Sequence, residues 1–284
     1  MRDGSPLRYP GGKASMTNLI GRIRALNHLN GHSVAEPFAG GAGLSLSLLY
    51  RRETHEIHIN DLDPAIYDFW HSAVHETSAM IACLEAVPVS VEEWRHWRDV
   101  YRREDAPRLD RGFAAFYLNR CNRSGIIDGA GVIGGLEQRG RWKIDARFNK
   151  DTLRDRLERI GAERERIRVT GIDAIDFIEA RDPQSTFFFI DPPYFRKGPS
   201  LYLNALDSEY HMRLADKLRG GAAGAWALTY DDCAEIRQLY SGWATVHPFS
   251  LRYTARASRV GREVLITPPW LTLPEEGVRV ARSN

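Results

Sequence analysis

Cysteine is scarce in this chain and methionine little commoner, with 3 Cys and 4 Met among 284 residues. Cys83, Cys121 and Cys233 form neither a CxxC pair nor a zinc-type spacing, and an odd number leaves one thiol over in any disulfide scheme. Buried reduced thiols are expected, and no metal centre. His71 and His75 lie four apart, but no acid completes a metalloprotease-like motif. Long apolar runs are missing as well, and no signal-peptide core lies near Met1, so a cytoplasmic protein without a membrane partner is expected. Neither sign of charge dominates: 39 Lys and Arg stand against 37 Asp and Glu, a formal charge of +2. That balance is too mild to demand a nucleic-acid partner, yet it permits one where basic residues cluster. Internal repeats and low-complexity segments are absent.

What remains is an ordinary soluble globule, long enough for one large domain or one domain with a sizeable insertion. Its most telling stretch is Ser185-Thr186-Phe187-Phe188-Phe189-Ile190-Asp191-Pro192-Pro193-Tyr194. Four consecutive large apolar residues are too few for a helix and predict a strand buried on both faces. An acid and two prolines stop it, because proline lacks an N–H and restricts the residue before it to extended geometry. Ligands of open α/β sheets bind outside the carboxyl ends of the strands. An acceptor-rich corner followed by an aromatic ring suits a flat, amine-bearing base: Asp191 and a carbonyl accept the amine hydrogens and Tyr194 covers the π face. For an isolated Asp-Pro-Pro, a strand-ending turn is the plainer reading. The rest of the chain has to supply a second ligand.

It does so nearer the N-terminus. Arg8-Tyr9-Pro10-Gly11-Gly12-Lys13 predicts an irregular loop before a helix over 16–26, where backbone can approach a ligand closely. Ser33 to Phe38, Ala39 to Gly43 and Leu44 to Tyr50 then read as strand, glycine loop and helix. Ile57 to Asp61 is a second strand ending in an acid, about 20 residues beyond the glycines, the separation a ribose-binding carboxylate requires. An adenosine-containing ligand follows, with a nicotinamide cofactor and S-adenosylmethionine both open at this point.

Between Trp70 and Lys150 the alternation of strand and helix breaks. Helices are expected over 71–87, 91–103 and 111–119, then a glycine-rich loop with the basic run Arg139-Gly140-Arg141-Trp142-Lys143 and Arg147 and Lys150 behind it. Such a run suits backbone phosphates, although a solvated face reads almost the same. The α/β pattern resumes with a helix over 150–160 and strands at 167–170, 187–190 and 225–230. Two last strands over 245–253 and 263–267 flank a basic loop with Arg256, Arg259 and Arg262. With no helix between them, they predict an antiparallel edge on an otherwise parallel sheet.

The motifs RYPGGK, EPFAGGAG, IND, GIDAIDF and FIDPPY, in this order, resemble those of the Dam-type (class alpha) DNA adenine-N6 methyltransferases, over nearly the whole chain. The resemblance implies an α/β, Rossmann-like sheet that binds S-adenosylmethionine, with a mainly helical target-recognition insertion. Residues 1–70 and 151–284 would then form the catalytic domain and 71–150 the insertion. Carried over by position, Tyr9, Lys13, Phe38, Gly40, Gly41, Gly43, Asp61, Asp173 and Asp191 fall at cofactor positions. Asp191, Pro192, Pro193 and Tyr194 fall at catalytic ones. Double-stranded DNA is the implied partner, for a protein expected to be monomeric, in a restriction-modification or phage-defence setting. Arg120, Arg123, Asp128, Arg141, Lys143 and Arg147 are the candidate DNA contacts.

One stretch departs from the family. Where relatives read their target through an aromatic-Asn-Gly loop ending in Arg, this chain has Asn119-Arg120-Cys121-Asn122-Arg123-Ser124-Gly125-Ile126-Ile127-Asp128. An acid standing in for a guanine-reading Arg points to a target other than GATC. Cytosine-C5 chemistry is excluded, because it needs a nucleophilic thiolate, typically in a Pro-Cys pair, and no Cys here follows Pro. Cytosine-N4 transfer uses the same chemistry as adenine-N6 transfer, and only the resemblance favours adenine. A catalytically silent DNA-binding relative and a dehydrogenase are the other readings, and the dehydrogenase leaves Asp-Pro-Pro-Tyr without a task.

Overall fold

The computed structural model describes residues 4–8, 11–195, 206–253 and 259–275. Its strands in chain order are β1 (Ser33–Glu36), β2 (Ile57–Asn60), β3 (Ile167–Thr170), β4 (Thr186–Ile190), β5 (Ala225–Asp231), β6 (Thr245–Tyr253) and β7 (Arg259–Thr267). The α-helices are α1 (Thr17–Leu26), α2 (Gly43–Tyr50), α3 (Pro64–His75), α4 (Thr77–Ala86), α5 (Val91–Arg102), α6 (Arg108–Cys121), α7 (Lys150–Ala162), α8 (Ala174–Glu179), α9 (Ser208–Arg219) and α10 (Ala234–Tyr240). Two compact units divide the chain. A sheet unit holds Lys13–Ala39, Leu44–Asn60 and Ile172–Asn284, and a helical unit holds Met1–Gly12, Gly40–Gly43 and Asp61–Gly171.

The sheet unit supplies six neighbours, β2-β1-β4-β5-β7-β6, to a seven-stranded sheet. β2, β1, β4 and β5 pair in parallel, and β7 runs antiparallel to both β5 and β6, so that β7 alone of the six is reversed. The antiparallel edge expected from the last two strands is present, with one feature that chain order did not reveal: β7 inserts between β5 and β6. At the centre, β4 pairs Phe187 with Val34 of β1 and Phe188 with Trp226 of β5. Phe187, Phe188, Phe189 and Ile190 are all buried, as expected of a strand covered on both faces. Each such side chain contributes about 1.5–3 kcal/mol by leaving water. Because β1, β4 and β5 are parallel, their carboxyl ends share one edge. Antiparallel β7 brings Glu263 back to that edge, opposite Asp231 at the end of β5.

The helical unit begins earlier than the expected helix over 71–87. Asp63 caps α3 by accepting from the backbone N–H groups of Ala65 and Ile66, and Pro64 takes the first helical position, where its missing N–H costs nothing. The expected single helix is two, α3 and α4, parted at Glu76, whose φ of −125° and ψ of 34° leave the helical region. Phe69 of α3 stacks on Phe116 of α6 at 5.6 Å, and Trp97 of α5 meets Phe113 of α6 edge-on at 4.8 Å. The carboxylate of Asp68, 1% exposed, is paired by Arg111 at 2.6 Å. Among the described residues no helix is long and apolar enough to cross a membrane.

Candidate active site

In the sheet unit, Asp191 leaves the carboxyl end of β4 with its side chain held by two donors. Lys13 Nζ donates to both carboxylate oxygens at 2.9 Å, and the Thr229 hydroxyl on β5 donates to Oδ1. Lys13 arrives from the turn before α1, where its carbonyl accepts the Met16 N–H. The ammonium is almost wholly buried. It also lies 3.3 Å from the Tyr194 hydroxyl and 3.8 Å from Glu263 Oε2. Tyr194 donates its hydroxyl to Glu263 Oε1, and the Phe195 N–H donates to Asp231 Oδ1 at 3.0 Å. A carboxylate has about four acceptor positions, and these donors leave Asp191 with capacity for a further one. Its side chain is 21% exposed while those of Lys13 and Glu263 are 2% exposed, so the open capacity belongs to the acid alone.

Two other expected positions lie in the same unit. Phe38 packs, partly buried, against the core that holds Phe188, Ile190 and Leu228. Asp173 caps α8 through the Ile175 N–H at 2.9 Å and accepts the Tyr210 hydroxyl at 2.9 Å on its other oxygen. Asn60, in the IND motif, clasps the ends of two strands: its amide donates to Pro37 O at 3.0 Å and Ile172 O at 2.9 Å. Glu36, at the end of β1, accepts the Ser45 N–H at 2.8 Å in the first turn of α2.

In the helical unit the glycine loop and its acid are joined directly. The Gly40 N–H donates to Asp61 Oδ2 at 2.8 Å, the Asp63 N–H donates to Oδ1 at 3.0 Å, and the Trp70 indole donates to Gly40 O at 2.8 Å. Gly40 adopts φ 46°, a left-handed conformation that a side chain would strain. Burial, and then the neighbouring Asp63 carboxylate, push the Asp61 carboxyl up to about 7 against the two backbone donors. Gly41 and Gly43 complete the turn into α2. Tyr9 lies outside the described residues, as does Arg256.

The six candidate DNA contacts all lie in the helical unit. Arg120 is buried at the end of α6, 6% exposed, whereas Arg123, Arg141, Lys143 and Arg147 are exposed. Asp128 is paired with Arg102 at 3.2 Å. The loop that bears them is built, not loose. Asn122 donates to Ile126 O and Ile127 O and accepts the Trp94 indole N–H at 2.6 Å. Asn119 binds both backbone groups of Arg8, and Gly125 passes so close that an added Cβ would sit 2.1 Å from Arg8 O. Further on, Gln138 ties three backbone groups, those of Ile133, Gly135 and Ile144. This second turn displays Trp142, 63% exposed, beside the Arg141 guanidinium.

Thr229 and Glu263 had no place among the sequence candidates. A carboxylate opening the apolar run Val264-Leu265-Ile266 was the available signal for Glu263. Nothing local marks Thr229. Among the described residues no group of three or more His, Cys, Asp or Glu is placed to hold a metal ion.

A mostly parallel sheet, an antiparallel β7 inserted beside β5, and an acid at the end of its central strand define a Rossmann-like methyltransferase fold. The chain belongs to the D12 class N6 adenine-specific DNA methyltransferase family, whose profile matches residues 9–255. Among solved structures it is similar to that of a proposed RNA methyltransferase from Pyrococcus horikoshii, at 10% identity and TM-score 0.40, over 92% of this chain and 85% of that one. A search of curated proteins finds no match.

Proposed function

We propose that this protein transfers the methyl group of S-adenosylmethionine to N6 of an adenine flipped out of double-stranded DNA, at a short sequence other than GATC. The observation that supports it best is the setting of Asp191: a carboxylate at a strand end, aimed by Thr229 and Lys13, with acceptor capacity still open. The target nitrogen is inaccessible inside a duplex, so the base must leave the stack, at a cost of a few kcal/mol. Tyr194 stacks on it. Asp191 and the Pro192 carbonyl accept the two amine hydrogens, which localises the nitrogen lone pair and aims it. Such alignment is the principal contribution a protein makes to an in-line displacement.

Bound S-adenosylmethionine supplies an electrophilic methyl on a sulfonium. The donor set fits it: the Asp61 carboxylate sits among backbone N–H groups at the glycine loop, suited to accept ribose hydroxyls. Lys13, Phe38, Gly40, Gly41, Gly43, Asp173 and, by the resemblance, Tyr9 are the other proposed contacts. Transfer would form the N6–C bond at the expense of the methyl–sulfur bond, with one N6 proton released to solvent.

Residues 71–150 carry target recognition in this reading. Arg141, Lys143 and Arg147 contact phosphates, Arg123 and Asp128 face bases, and buried Arg120 backs the loop from within. A monomer acting in the cytoplasm, in a restriction-modification or phage-defence setting, completes the proposal. Sequencing DNA from expressing cells with modified-base detection tests it: wild type should mark adenine N6 in one short motif, and Asp191→Ala should mark none. Marks on cytosine, or marks that survive Asp191→Ala, would overturn the reading.

A further inference from the structure

We infer that Glu263 is a positioning residue for methyl transfer, acting through Lys13 and Tyr194 on both halves of the Asp-Pro-Pro-Tyr corner; this rests on the function proposed above. The residue is 1% exposed and stands on β7 ahead of Val264, Leu265 and Ile266, all buried. An ionised carboxylate in such a place is costly unless it is paired, and an apolar residue of similar volume is often as stable or more so. Fold stability alone therefore gives no reason for an acid here.

Its contacts give one. Glu263 Oε1 accepts the Tyr194 hydroxyl and Oε2 lies 3.8 Å from Lys13 Nζ, while that ammonium reaches both oxygens of Asp191. One side chain thus fixes the ring proposed to stack on the base and, through Lys13, the acid proposed to accept its amine. Asp231, directly opposite in the β5–β7 register, holds the next residue by accepting the Phe195 N–H. The pair of acids secures the chain where it leaves the corner. Lys13 lies between two carboxylates, so the negative charge of Glu263 also limits how strongly the ammonium draws on Asp191.

Glu263→Gln tests this, because the amide oxygen still accepts from Tyr194 while the charge is lost. Steady-state methylation of a cognate duplex should show kcat lower by about tenfold or more, since small misplacements of reacting groups cost up to about a hundredfold. KM for DNA and for the cofactor should stay within about twofold, the pattern of an interaction felt only in the transition state. A purely structural role would lower the melting temperature and leave kcat of the folded enzyme at the wild-type level. Unchanged kcat in a folded variant overturns the inference. If Glu263→Gln fails to fold, Tyr194→Phe decides: it keeps the ring and loses the hydroxyl. A fall in kcat at constant KM supports the inference, and wild-type kcat overturns it. A wild-type protein that marks no adenine overturns the functional reading and this inference with it.

Discussion

The corner around Asp191 and the loops around Asn122 and Gln138 solve opposite problems with similar means. At the corner the side chains themselves are fixed: Lys13, Thr229 and Glu263 are buried and spend their polar groups on one another or on Asp191. In the loops it is the backbone that is fixed, by Asn122 and Gln138, while Arg123, Arg141 and Lys143 stay exposed to solvent, Arg123 Nε donating to Gly131 O and Lys143 Nζ to Gln138 O. Chemistry on one nitrogen needs an acceptor held to within a fraction of an ångström. Contact with phosphates needs reach and positive charge, and recognition of bases needs a few side chains on a stable frame. The two regions should accordingly fail in different ways: the corner in kcat, the loops in affinity, salt dependence and choice of sequence.

The sharpest separation is expected from Asp191→Asn. The change is nearly isosteric, but it turns one acceptor oxygen into a donor facing the target amine and removes the charge that Lys13 answers. Turnover should fall by about a thousandfold or more, in the range seen when a preorganised electrostatic group is removed. DNA affinity without turnover should match wild type. A variant whose loss lies mainly in DNA affinity would place Asp191 in binding and not in catalysis.

Next in size is Asp61, whose carboxyl is pushed up to about 7 by burial and by Asp63. In the proposed cofactor site ribose hydroxyls would bind the ionised form, so ligand binding would favour loss of that proton. Below pH 7 the free protein holds it, and affinity for S-adenosylhomocysteine should weaken by about tenfold per pH unit. Above pH 7 it should level off. Asp63→Asn keeps the cap of α3 and removes the second cause, so the break should move to lower pH. Asp61→Ala should abolish the break and lose roughly 1.5–3 kcal/mol for each charge-assisted hydrogen bond. Titration calorimetry from pH 5.5 to 8.5 checks all three. A flat wild-type curve would remove Asp61 from the ribose site.

These two cases differ in how much of them was written in the sequence. Both acids were visible because local pattern marks them: Phe-Phe-Phe-Ile ends at Asp191, and a short apolar strand ends at Asp61 a fixed distance after the glycines. The parallel sheet and its antiparallel edge were legible for the same reason, since strand type and connection length are local properties. Partners were not. Lys13 is 178 residues from Asp191, Tyr194 is 69 from Glu263, and Thr229 is 38 from Asp191. Such meetings depend on strand order, and nothing in a single chain places β7 between β5 and β6. The break at Glu76 carries no such mark, because both flanking segments favour helix, whereas Asp63-Pro64 is a local start signal for α3.

Discrimination between sequences should respond to Arg123 and Asp128. Arg123 is exposed, with its N–H fixed on Gly131 O at 3.1 Å, while Asp128 already has Arg102 as a partner. An Arg bidentate to guanine is worth about 1–3 kcal/mol of discrimination, and a carboxylate can accept from the cytosine amine. Asp128→Ala should therefore act twice, by removing an acceptor and by freeing Arg102 for nonspecific attraction. Methylomes of Arg123→Ala and Asp128→Ala beside wild type should show relaxed motifs with total binding less affected. An unchanged motif in both, or a wild-type motif of GATC, would put specificity elsewhere.

The smallest effect is expected from Arg141→Ala, and it tests the loop half of the comparison most directly. Arg141 is exposed on the turn that Gln138 closes, beside the outward-facing Trp142, so its removal leaves no cavity and breaks none of the backbone bonds that shape the turn. A phosphate contact contributes the same amount on every sequence. Its loss should weaken binding to cognate and noncognate duplexes alike and reduce the slope of log affinity against log salt by about one unit. The methylation motif should not change, and neither should kcat at saturating DNA. Gln138→Ala provides the contrast, because it loosens the turn and lets Arg141, Trp142 and Lys143 move together. That variant should lose more affinity than Arg141→Ala although it removes no charge. Fluorescence titrations of both at several salt concentrations separate the two terms. Equal losses would mean that charge, and not the fixed backbone, does the work of the loop; a salt slope unmoved by Arg141→Ala would take this face off the DNA.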